Sequence, residues 1–159
     1  MVGRSVHALI RRLGLQFSWR SAAAGIPLFV IYLLVYWVTA TLIFLVLPDA
    51  RGLRAIAFTA HVPSWLMIIL LIVNAAFEEL LVTGFVIASL AEKGAAIAVA
   101  ASTLLRFAYH LYQGPLNAVS IIPVGLLLGA LFWRARNLWP LIVAHALADV
   151  VVYVSAHRG

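Results

Sequence analysis

Residues 25–47 carry no charge, and four further runs at 64–90, 94–113, 115–133 and 138–156 are nearly as apolar. Each is close to the ~20 residues that a helix needs to cross the hydrocarbon core of a bilayer. Only "QGP" at 113–115 separates the third run from the fourth, and its Gly and Pro mark a tight turn. Ahead of the first run the pattern changes. Val6, Leu9, Ile10, Leu13 and Phe17 recur at helical spacing among Arg4, Arg11, Arg12 and Arg20, which predicts a basic amphipathic helix on the membrane face. The run after it is too long for the apolar part of a signal peptide and lacks a convincing cleavage site, so a retained N-terminus is expected. The stretch 48–63, "PDARGLRAIAFTAHVP", reads as a loop with room for a short interfacial helix. The predicted fold is therefore all-α: a polytopic membrane helix bundle of about five transmembrane helices preceded by an N-terminal amphipathic helix. Residues 1–24 form the basic segment and 25–159 one membrane-embedded domain, whose chemistry-bearing core is 64–156.

Composition agrees with this pattern. The 159 residues are 65% hydrophobic and 10% charged, with a mean hydropathy of +1.10. A soluble domain carries roughly 25% charged residues, so lipid is the natural solvent for this surface. The absence of cysteine excludes disulfides, iron–sulfur clusters and thiolate metal sites. A net charge of +6 raises nucleic acid as a partner, but the arginines stand singly among apolar runs. An anionic lipid surface and insertion topology account for them better, and no nucleic-acid partner is expected. With the N-terminus cytoplasmic, that side receives Arg4, Arg11, Arg12, Arg20, Lys93, Arg134 and Arg136, against Arg51, Arg54 and Arg158 opposite. This bias, with the basic face and short loops, points to an integral protein of a bacterial inner membrane.

Against that background the ionisable residues inside the runs stand out. An ionised side chain at mid-bilayer costs at least ~2.5–3.5 kcal/mol, so such residues must face one another or a hydrated cavity. Glu78, Glu79, Arg106 and Asp149 all lie within spans, with His110 and His145 beside them. Asn74 and Glu78, Arg106 and His110, and His145 and Asp149 are each four residues apart, and so share a helix face. Three helices thus present short polar stripes at similar depth, with Ala75, Ala76, Ala144, Ala146 and Ala148 allowing close approach. The alternatives are structural: an ion pair between a glutamate and Arg106, or a carboxylate–histidine pair locking two helices. His7, His61 and His157 fall in loops or near the ends of the chain and are read as incidental. No HExxH, GxSxG or phosphate-binding loop occurs, and Ser89, Ser102 and Ser120 have no evident base. Acid–base chemistry remains, with a carboxylate taking a proton from water and histidines stabilising an oxyanion or passing protons.

Three stretches resemble the motifs of the CPBP intramembrane proteases, also called the CAAX protease or Abi family. "EELLVTGF" resembles the first motif, Glu-Glu-x-x-x-Arg-Gly; "LLRFAYHLYQG" resembles the second, Phe-x-x-x-His; "LIVAHALAD" resembles the third, His-x-x-x-Asn/Asp. The resemblance implies an all-helical endopeptidase that cleaves peptides or membrane proteins within the bilayer. By position it makes Glu78 the water-activating base and Glu79 its supporting partner. It makes His110 a second contact to the water, and His145 with Asp149 an oxyanion hole. No cofactor is expected; the alternative is a catalytic zinc on Glu78, His110 and His145. Two positions depart from the motifs. Thr83 stands where the first has arginine, and Arg106 stands where the second has phenylalanine. An unpaired carboxylate in low dielectric tends to protonate, and a protonated acid is no base. Arg106 is therefore expected to supply the charge balance that position 83 lacks. Two other classes fit the same residues: a non-catalytic immunity or scaffold protein holding a peptide in the cavity, and a proton-relay membrane protein.

Overall fold

The computed structural model describes residues 8–47 and 62–156. Five helices long and apolar enough to cross a membrane carry these residues: α1 (Trp19–Val46), α2 (Ser64–Ser89), α3 (Ala95–Gln113), α4 (Pro115–Ala135) and α5 (Trp139–Ala156). No strand occurs among the described residues. The chain is an all-α polytopic bundle, as its pattern predicts. At "QGP", Gly114 takes a φ of 96° and Pro115 opens α4, so a three-residue 3₁₀ turn and a glycine suffice to reverse the chain.

The N-terminal end differs from the expected amphipathic helix. Among the described residues its helical part is only 8–12, and α1 begins at Trp19 rather than at 25. Two local causes act. Gly14 turns the chain in the left-handed region (φ 68°), where a Cβ would lie 2.7 Å from the Arg136 carbonyl oxygen. Ser18 then caps the next helix, its Oγ accepting from the Ser21 amide at 3.0 Å. From Arg12 to Leu15 the chain straps across the end of α2 and the start of α5. Arg12 donates to the Ala88 carbonyl at 3.0 Å, Leu138 donates its amide to Gly14 at 2.9 Å, and Trp139 Nε1 donates to Leu15 at 3.3 Å. Residues 1–7, the connection 48–61 with its expected interfacial helix, and 157–159 lie outside the described residues. His7, His61 and His157 lie there too.

At the end of the bundle where this strap lies, Ile87, Val99, Leu128, Phe132, Leu138 and Leu141 form a buried apolar cluster. Small residues set the helix spacing. On α4, Gly125 and Gly129 face α3: added Cβ atoms would stand 3.1 Å from Thr103 Cγ2 and 2.9 Å from Val99 Cγ1. This is close backbone approach of the kind small-xxx-small pairs permit in membranes. Ala75, Ala144, Ala146 and Ala148 are buried as expected, while Ala76 is half-buried. Trp37, Leu45, Phe85 and Leu104 point outward, which suits a lipid surface.

Candidate active site

The site begins with an irregularity in α2. From Glu79 to Phe85 the helix widens into a π-helix, a form that occurs frequently at functional sites. Ser102 of α3 donates to the Val82 carbonyl at 2.7 Å and ties that widened turn to the neighbouring helix. Gly84 lies in the same stretch, and a Cβ there would meet Leu138 Cδ1 at 2.9 Å. Widening occurs where two adjacent carboxylates need different surroundings, about 100° apart around an ordinary helix.

Glu79 is the enclosed one, with 0% exposure. Its Oε1 accepts from Arg106 Nη2 at 2.7 Å and from His145 Nδ1 at 2.9 Å, and its Oε2 accepts from Thr83 Oγ1 at 2.8 Å. Thr83 Oγ1 in turn accepts from Arg106 Nη2 at 3.0 Å. The threonine and arginine that depart from the motifs therefore meet on this one carboxylate. An enclosed ion pair depends on further hydrogen bonds to offset the lost hydration, and here Thr83 and His145 add two donors to the one from Arg106.

Glu78 has the other environment. Its side chain is 15% exposed and lines a cavity of about 180 Å³. Asn74 Nδ2 donates to its Oε1 at 2.8 Å and Tyr109 donates to its Oε2 at 2.5 Å. Arg106 Nη1, buried and without a hydrogen-bond partner, stands 3.7 Å from Glu78 Oε2. One guanidinium thus faces both glutamates, bonding one and leaving the other open to the cavity.

The histidines are oriented by their Nδ1 atoms. His110 Nδ1 is 2.8 Å from the Arg106 carbonyl oxygen, which can only accept, so Nδ1 carries the proton and Nε2 is left for the cavity. His145 Nδ1 donates to Glu79, and its Nε2 lies 3.9 Å from Glu78 Oε2 and 3.6 Å from Asp149 Oδ2. Tyr32 stacks on the His145 ring at 6.0 Å between centroids. Glu79, rather than Asp149, thus fixes this imidazole, and Asp149 flanks its free side.

The structure brings every one of the expected residues together. Glu78, His110, His145 and Asp149 line the cavity, Glu79 lies behind them and Arg106 joins the two layers. Tyr109 and Tyr32 are additional members that sequence reasoning missed. A tyrosine in mid-span needs a hydroxyl partner, and that was the available signal. Among the described residues no three His, Asp or Glu side chains are arranged to hold a metal ion.

A family model described as type II CAAX prenyl endopeptidase Rce1-like matches residues 60–151. No curated protein and no solved structure matches the chain. The matched stretch is more than half of the chain and contains all three polar stripes, from Asn74 to Asp149. On the strength of that match, together with five membrane-crossing helices and their enclosed carboxylate–histidine cluster, this chain belongs to the Rce1-like family of CAAX-type intramembrane proteases.

Proposed function

We propose that the protein is an intramembrane endopeptidase in which Glu78 activates water against a peptide bond of a membrane-associated peptide or protein. The supporting observation is the division of labour between adjacent carboxylates: Glu79 is buried and engaged by three donors, and Glu78 faces the cavity. The peptide enters extended, because a helix hides its carbonyls from attack. Water oxygen bonds to the scissile carbonyl carbon while Glu78 takes a proton from it, and the carbonyl π pair moves to oxygen. His110 Nε2 accepts from the same water and aims it. The oxyanion lies against His145. With Nδ1 engaged by Glu79, that ring donates from Nε2 only as an imidazolium, whose charge Glu78, Glu79 and Asp149 balance. Collapse restores the carbonyl and breaks the C–N bond, and Glu78 returns its proton to the departing nitrogen.

The reading carries a location and an orientation. The protein sits in a bacterial inner membrane with its N-terminus cytoplasmic, supported by seven basic residues on that side against three on the other. No cofactor is required by this chemistry. Purified protein incubated with internally quenched hydrophobic peptides, one of them a prenylated CAAX peptide, tests the activity. Cleavage present in wild type and lost in Glu78→Gln supports the reading; equal cleavage by both contradicts it.

A further inference from the structure

The cavity has a direction. On α2 its lining residues are Leu71, Asn74 and Glu78, all at or N-terminal to the reacting glutamate. On α3 they begin at His110 in the last turn, and on α4 they stop at Ile121 in the second. On α5 the lining starts at His145 and runs to Val152. Every described lining residue thus lies between the glutamate level and the end of the bundle that holds the α3–α4 turn. Toward the other end the route is plugged. The Glu79–Arg106–Thr83 network is followed there by the buried cluster of Ile87, Val99, Leu128, Phe132 and Leu138.

The plugged end is also the basic one. Arg11, Arg12 and Arg20, Lys93 in the α2–α3 turn, and Arg134 with Arg136 at the end of α4 all gather there. Contacts of Arg12 with Ala88 and of Leu138 with Gly14 place these segments at one end. The α3–α4 turn at the open end, "YQGP", carries no charge. Basic segments are retained in the cytoplasm.

We infer that the cavity opens to the non-cytoplasmic face of the membrane, so that the substrates are exported peptides or outer-face segments of membrane proteins. This inference rests on the protease reading for the word substrate, but its geometry does not. A cytoplasmic C-terminus carrying a lipid would meet the plugged end. Water reaches Glu78 from outside, along a wall with Tyr36, Gln113 and Asn117 offering hydrogen bonds. Tyr36 already donates to Asn117 Oδ1 at 2.8 Å. Those groups suit the free amides of an extended peptide.

The chain has no cysteine, so single-cysteine variants report position cleanly. Gln113→Cys at the open end and Lys93→Cys at the basic end are expressed in bacterial cells and treated with a membrane-impermeant maleimide. The inference expects Gln113→Cys to be labelled in intact cells and Lys93→Cys only after permeabilisation; the reverse pattern overturns it. The same labelling is expected with Glu78→Gln added, which separates orientation from activity. New amino-termini that appear with wild type but not with Glu78→Gln, mapped across the cell's membrane proteins, supply the second arm. They should fall in outer-face segments. A cytoplasmic distribution overturns the inference while leaving the protease reading intact, and labelling as expected with no new termini tells against the protease reading alone.

Discussion

Arg106 holds the site together from behind. Its Nη2 bonds Glu79 and Thr83 while Nη1 faces Glu78, so a single cation serves two carboxylates. Arg106→Phe would leave Glu79 enclosed without its counter-charge, and removing one partner of a buried pair costs about 3–5 kcal/mol. A lower unfolding temperature in detergent and loss of peptide cleavage are expected. Adding Thr83→Arg, one helical turn from Glu79, should recover part of both; a double variant no better than the single one would show that the charge has not been relocated. Tyr109→Phe removes a hydrogen bond to the cavity carboxylate, a bond to a charged group worth about 1.5–3 kcal/mol. It should depress kcat roughly tenfold or more, on the same scale, and leave the fold intact by circular dichroism. The cost of charge in lipid makes the members of this cluster legible in sequence. The separate roles of Glu78 and Glu79 are not, because spacing alone does not say which neighbour faces the cavity. Tyr109 and Tyr32 were hidden for a related reason: aromatic residues are ordinary lipid-facing ones until a partner is seen.

Helix positions were largely set by length and by Gly and Pro punctuation, so the runs from 64 to 156 agree with α2 to α5 to within one or two residues. The start of α1 was not, since Arg20 in its first turn looked like interface, and the Ser18 cap competes only weakly with a charge as a signal. The π-helical turn at Glu79–Phe85 has no periodic signature strong enough to read in so uniformly apolar a run. Gly125 and Gly129 belong to the same scale: their spacing fits close packing, yet only the contacts with Thr103 and Val99 show which helix they meet. Gly129→Leu would force side-chain volume against Val99 and should destabilise the bundle by about 1–3 kcal/mol, the usual cost of overpacking. Thermal unfolding in detergent checks this, with Leu126→Ala on the exposed side of the same helix as the variant expected to change little.

At the scale of the whole molecule, one end is basic and packed shut and the other is uncharged at its turn and hollow, with Glu78 where the two meet. The bundle leaves a cavity beside a carboxylate deep in the spans, while the Glu79–Arg106 pair on the sealed side fixes the His145 imidazole. Hydropathy made the bundle legible; the cavity was not, since it depends on how five helices splay. A water-activating glutamate needs no metal, so incubation with a strong chelator should leave cleavage unchanged, and loss of activity restored by zinc would reverse that view. The most direct test of the account is cleavage of a quenched hydrophobic peptide by purified wild type and Glu78→Gln in liposomes. General-base catalysis contributes about 10²–10⁴-fold, so the variant should be slower by at least that lower figure while unfolding at a similar temperature. A folded Glu78→Gln that cleaves as fast as wild type would contradict it.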